Sequence, residues 1–372
     1  MNIIDRLTPT TFSVKLAAVL TSIIATGYLV ILGKELLSPL LFSCLFAILL
    51  LPLAQWLEVK CRLPRSVASI IAVLLFVTSV MLVLYLIGAQ VSRLSTEWPL
   101  FKEQLSVSIS SLQQWINQKF HVSETKQLNY IGTATNNLLN SGTTMVGATL
   151  ISLSGMLLFL VFTFIYTFLF LVYRSLIKRF MIAVFAEEHG AVVHEILEQV
   201  QIMMRKYIFG LLLETVIVAT VVATAFTIMG VKYALLLGII TGLLNLVPYI
   251  GIFTSLLISS LITFATATDA SQVLLVIITL VVIHLLDSNI LLPLIVGSKV
   301  KINALVTLIG VLMGEMMWGI PGMFLSIPVI AVMKIIFDRV NSLQAWGILL
   351  GDDEARKKEQ KIKEIAKQTP EQ

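Results

Sequence analysis

Eight long apolar runs alternate with short charged stretches and two longer polar ones. Residues 16–33, 36–57, 66–89, 147–173, 207–229 and 270–296 each read as one bilayer-crossing helix. Residues 16–33 are taken as a span and not as a cleaved leader, because no small-x-small site follows them. The other two runs, 233–264 and 302–337, are too long for a single crossing. As one straight helix the first would measure about 48 Å, against a hydrocarbon core of about 30 Å. Both are interrupted, the first at Asn245-Leu246-Val247-Pro248-Tyr249-Ile250-Gly251 and the second at Trp318-Gly319-Ile320-Pro321-Gly322. Proline removes a backbone donor and glycine loosens the helix. In a bilayer the freed backbone groups survive only where protein buries them or where they line a cavity. Each run is therefore expected to fold back as a hairpin. The fold expected is an all-α polytopic membrane protein, with about six full spans plus two inverted re-entrant helical hairpins and both termini cytoplasmic.

The polar stretches divide the chain further. Three N-terminal spans occupy 1–89. An extracytoplasmic helical segment is expected over 90–146, where Phe101, Leu105, Ile109, Leu112, Ile116 and Phe120 recur at helical spacing. Span four follows at 147–173, and a cytoplasmic amphipathic helical segment at 174–206. The core with both hairpins covers 207–338, and a charged tail runs from 339 to 372.

Composition supports this reading. The chain is 58% hydrophobic and 13% charged, where a soluble domain carries about 25% charged residues. The net charge of +5 fits orientation in a membrane and not nucleic-acid binding. With hairpins that return to the side they left, twenty Lys and Arg fall inside and six outside; with hairpins that cross, the division is eighteen to eight. The rule that favours cytoplasmic basic residues prefers the hairpins. Cys44 lies in an apolar run and Cys61 in a basic loop, so neither suggests a disulfide.

Polar side chains inside the apolar core are the candidate site, because an ionisable group in a span is costly unless it meets a partner or a cavity. Asp287 leads, as a substrate hydrogen-bond partner or a proton or cation site; the alternative is a structural acceptor near Pro293. Ser288 and Asn289 extend its polarity, and Asn289 would equally serve as helix–helix glue. His284 lies one turn before Asp287 on the same face, which suits a proton relay or a plain bundle hydrogen bond. Glu214, two turns into 207–229, is a further carboxylate for a proton or cation, or a plain ion-pair partner of Lys206; Glu315, before the second break, is another such carboxylate, or a lipid-facing residue near the end of a hairpin arm. Asn245, Tyr249 and Trp318 flank the breaks. Pro248, Gly251, Gly319, Pro321 and Gly322 act through backbone shape. Half-helices starting after Pro248 and Pro321 would aim their positive ends at the midplane, which suits a small oxygen-rich ligand.

These same residues carry a family resemblance. Gly230-Val231-Lys232-Tyr233-Ala234 with the run from Leu243 to Gly251, Asp287-Ser288-Asn289 with Pro293 and Gly297, and Trp318-Gly319-Ile320-Pro321-Gly322 with Pro328 resemble the autoinducer-2 exporter family. So do Pro39, Pro52, Trp56-Leu57, Pro64 and Arg65. The resemblance covers nearly the whole chain. It implies a multi-pass inner or plasma membrane transporter, either an exporter of the quorum-sensing furanone autoinducer-2 or a sodium/proton antiporter. It also implies a homo-oligomer, with a pentamer as one expected assembly.

The expected partners are membrane lipid and a small polar solute or Na⁺/H⁺. No cofactor and no metal site are expected. No G-x-x-x-x-G-K-[ST] run occurs, so transport would draw on an ion or solute gradient. A zinc protease needs H-E-x-x-H, and His194-Glu195-Ile196-Leu197-Glu198 ends in the wrong residue. An enzyme is therefore not expected. A non-transporting scaffold is the remaining alternative, and it leaves the paired breaks unexplained.

Overall fold

The computed structural model describes residues 12–97, parts of 103–118, and 155–184, 190–247, 250–267, 269–295 and 302–351. Pro248 and Tyr249, most of 90–146 and the tail after Gly351 lie outside the described residues. The described residues are helical throughout, apart from turns and one isolated bridge between Ile302 and Gly351. Three helices come first, α1 (Phe12–Leu32), α2 (Lys34–Lys60) and α3 (Arg65–Thr96). Then come α4 (Gly155–Val184) and the 39-residue α5 (Gly190–Ile228). The first broken run forms α6 (Ala234–Leu244) and α7 (Ile250–Thr266). The next run forms α8 (Ala270–Leu286), a π-helical turn (Asp287–Leu291) and the short α9 (Leu292–Ile295). The second broken run forms α10 (Ala304–Trp318) and α11 (Ile320–Arg339), and α12 (Gln344–Leu350) closes the described chain.

Six of these helical stretches are long and apolar enough to cross a membrane. Large apolar side chains cover their outsides, among them Leu74, Phe180, Phe209 and Leu285. In water such a surface would aggregate; in a bilayer it is the lipid-facing coat. Four details differ from the sequence expectation. Helix α4 runs past the expected end of span four at 173 to Val184, and α1, expected as a full span over 16–33, is not among the six. The expected division between 174–206 and 207–229 is not a break, because α5 runs unbroken through both. The second arm of the second broken run, α11, is itself long enough to cross.

The core falls into clusters. Helices α2, α3 and α4 pack through Ala54, Ala68, Ala72 and Leu171. Alanines at the seam let the backbones approach. Arg174 of α4 donates two hydrogen bonds to the Glu58 carboxylate of α2, at 2.9 and 2.6 Å. Helix α5 is the spine of the other half. Its residues Met203, Met204, Tyr207, Ile208 and Leu211 join a cluster with Leu45, Trp318 and Leu325. Its residues Val218, Val222 and Phe226 join a second cluster with Leu237, Val276 and Leu280.

Small residues seat α6 against α5. A β-carbon added at Gly238 would come within 2.6 Å of Ala223 Cβ, and one at Gly242 within 2.6 Å of the Thr215 carbonyl. Glycines four residues apart on α6 thus oppose Ala219 and Ala223, also four apart, on α5. This small-xxx-small seam holds two membrane helices at close range. At the turn that joins them, the Tyr233 hydroxyl donates to the Glu97 carboxylate at 2.6 Å, and Gln272 donates to the Met229 carbonyl at 3.0 Å.

Helices α10 and α11 fold back on each other. Gly314 and Gly322 meet backbone to backbone, and Gly310 faces Ile330 and Ser326. One residue makes the turn: Gly319, at φ 67° and ψ −142°, a region closed to side chains. Pro321 follows in the first turn of α11, where its missing N–H costs nothing. Gly319→Ala is therefore expected to cost on the order of 1–3 kcal/mol, read as a lower unfolding midpoint in detergent. Gly27→Ala is the control: it sits inside α1 with open space around it and should not lower that midpoint.

Candidate functional site

Glu214 lies on α5 between its two apolar stretches, in the gap from Leu211 to Val218. It is 2% exposed. The partner comes from the first break. Helix α6 ends at Leu244, so Asn245 projects from the end of a helix held against α5 by Gly238 and Gly242. Its amide nitrogen donates to Glu214 Oε1 at 3.0 Å. The same nitrogen donates to Asp287 Oδ2 at 3.1 Å. Asp287 is 5% exposed. Three helical elements thus place two buried carboxyl groups on one amide.

Asp287 reaches this point through the π-helical turn. Pro293 has no N–H for the carbonyl of Asn289, and its ring crowds that carbonyl. Widening Asp287–Leu291 to π geometry relieves the clash. Asp287 then stays buried while Ser288 and Asn289, the next two residues, are exposed.

The cluster is short of donors. An amide offers two N–H groups, and a carboxylate pair can accept several more hydrogen bonds. Among the described residues, Glu214 Oε2 and Asp287 Oδ1 are buried and receive no hydrogen bond from a donor group, and the two carboxyl groups lie within hydrogen-bonding range of each other. A buried acceptor in that condition is costly, more so when charged. Two like charges this close in a buried site call for a proton or a cation between them. A cavity of about 20 Å³ adjoins the cluster, lined by Thr241, Asn245, Gly251, Ser255, His284 and Asp287 among others. That is room for about one water molecule or one bare ion.

The other candidates stand apart from this centre to different degrees. His284 is half-buried, lines the cavity and shares a 3.2 Å hydrogen bond with the Ser288 hydroxyl. Asn289 donates to the Leu285 carbonyl of its own helix at 2.7 Å, as a local helix bond. Trp318 is buried in the cluster with Leu45 and Leu325, and its indole donates to the Val30 carbonyl at 3.0 Å. That carbonyl belongs to the last turn of α1, which has no helical partner of its own. Trp318 therefore ties α1 to the second break. Glu315 is exposed on α10. Gly251 lines the cavity and abuts the Leu244 carbonyl. Gly319, Pro321 and Gly322 shape the α10–α11 turn. Thr241 and Ser255 line the cavity and escaped the sequence reading; a hydroxyl four residues before Asn245 and another four after Gly251 were the available signal.

Long apolar helices, two helix breaks and a buried acidic centre between them define a multi-pass membrane transporter. The chain belongs to the AI-2E family of transporters, whose family model matches residues 20–342. It is an inner-membrane protein. It is 28% identical to YrrI of Bacillus subtilis (strain 168), a transport protein by name, over 82% of this chain and 86% of that one. It is 25% identical to the AI-2 transport protein TqsA of Escherichia coli (strain K12), over 89% of this chain and 95% of that one. YueF of Bacillus subtilis is 24% identical over 82% of this chain and 84% of its own.

Proposed function

We propose that this chain is a secondary transporter that exports a small polar solute, with the Glu214–Asn245–Asp287 centre as the place where solute or coupling ion is held. The observation that carries this is the pair of buried carboxyl groups on a single amide, each with an oxygen that receives no hydrogen bond from a donor group. Such a centre is worth its cost inside a bilayer only if something passes through it. The similarity to TqsA makes autoinducer-2 the first solute to try. In this reading both broken runs are inverted re-entrant hairpins, the termini are cytoplasmic, and the chain works as a homo-oligomer, with a pentamer as the first assembly to test. Alternation would come from the hairpin core moving against the first four spans.

One observation favours a second reading, sodium/proton antiport. The cavity beside Asp287 holds about one ion, not a furanone. The two readings separate in proteoliposomes. Labelled autoinducer-2 flux is measured beside a pH-sensitive dye during Na⁺ pulses, with the intact protein and with Asp287→Asn. Solute flux lost in Asp287→Asn, without a Na⁺-driven pH change, supports export. A Na⁺-driven pH change lost in the variant, without solute flux, supports antiport. Silence in both assays from folded protein overturns both and leaves the scaffold.

A further inference from the structure

Helical threonines in this protein have a habit. Thr78, Thr163, Thr215, Thr220, Thr254 and Thr307 each donate their hydroxyl to the carbonyl four residues back. This is the cheapest way to satisfy a hydroxyl inside a bilayer. Thr241 and Thr263 do not follow it. Both are buried, at 8% and 1% exposure, and their hydroxyl oxygens have no partner among the described residues. A buried hydroxyl without a bond costs about 1–3 kcal/mol.

Their positions are related. Thr241 lines the cavity beside Asp287, and so does Ser255 of α7. Ser255, Ser259 and Thr263 follow one another at four-residue spacing, so they share a face of α7. All three are at least 97% buried. The face leads away from the acidic centre. Ile262 and Ala265, either side of Thr263, pack with Phe226, Val231 and Ala234, at the end of the bundle that carries the Gly230–Tyr233 turn. That surrounding is otherwise apolar, so glue between polar partners does not explain an open hydroxyl there.

We infer that Ser255, Ser259 and Thr263, continued by Thr241, form a narrow water-bearing path from the Glu214–Asn245–Asp287 centre to the end of the bundle at the Gly230–Tyr233 turn. One hydroxyl every four residues, about 6 Å apart along the axis, is a spacing that single waters bridge. The path takes water and, through it, protons or a bare monovalent cation; it is too narrow for the solute. It gives the centre a route for the coupling ion, and in that respect it rests on the proposed function.

Silver ion tests the path without calling on transport. Cysteines replace Ser255, Ser259, Thr263 and, as an apolar buried control, Leu237, one at a time in a Cys44→Ser, Cys61→Ser background. Thiols left after timed exposure to Ag⁺ are counted with a maleimide after denaturation. The expected result is consumption at 255, 259 and 263 at least about tenfold faster than at 237, because access sets the rate. Rates at 259 and 263 no faster than at 237 overturn the path. Hydroxyl-radical labelling of the unaltered protein guards against misfolded variants: labelling at Ile262, beside Thr263, supports the path, and its absence overturns it. Solute flux with unreactive cysteines removes the path and keeps the transporter. Reactive cysteines in a protein that moves neither solute nor ion keep the path and remove its coupling role.

Discussion

Asn245→Leu is expected to abolish transport and to destabilise the protein by about 1–3 kcal/mol for each carboxyl group it abandons, more where the group is charged. Asn245 is the residue that donates to both Glu214 and Asp287. Leucine fills similar space and donates nothing, so two buried carboxyl groups lose the bond they share. The measurement is the thermal midpoint in detergent beside flux in proteoliposomes. A triple variant separates stability from function. Adding Glu214→Gln and Asp287→Asn to Asn245→Leu removes the stranded charge, so the midpoint should recover while flux stays absent. Recovered flux in the triple variant would sink the assignment of the carboxylates. Asn289→Ala should change neither quantity much, because Asn289 is exposed and bonds its own helix.

The second large effect falls at the fold-back of α10 and α11. A β-carbon on Gly322 would run into the Gly314 carbonyl, and one on Gly314 into the Gly322 carbonyl. These obstacles are backbone on both sides, so no side chain can swing away. Overpacking costs about 1–3 kcal/mol where neighbours adjust, and more where they cannot. Gly322→Leu is expected to give no monodisperse peak in size-exclusion chromatography. Gly322→Ala should fail almost as badly, because the first carbon already collides. An alanine variant with an unchanged midpoint would show that the two helices are not held at this distance.

Much of this arrangement was legible in the sequence, and for identifiable reasons. The breaks at Asn245 and Trp318 could be read because proline and glycine act locally, and the helices end there. Asp287, Glu214 and Asn245 stood out because polar groups in apolar runs are rare. What could not be read was which of the polar residues meet. Glu214 and Asn245 are brought together by Gly238 and Gly242 against Ala219 and Ala223, a pairing between helices that neither run displays alone. Trp318 looked like a site residue by its place at a break; its indole in fact serves the end of α1, nearly the whole chain away in sequence. The π-helical turn was hidden for another reason. Pro293 announced a disturbance, but whether the helix would kink, stop or widen depended on where Asn245, at the end of α6, waited for Asp287.

The length of α5 has a mechanical consequence. Its 39 residues make a rod of about 58 Å, with Glu214 about 36 Å from one tip and about 21 Å from the other. A tilt of about 10° about that residue carries the far tip about 6 Å and the near one about 4 Å. The acidic group sits at the fulcrum and scarcely moves. A lever pivoted on its own charge can shift its two ends in opposite directions, each by a few ångströms, while the bonds that Asn245 makes to Glu214 and Asp287 stay within reach.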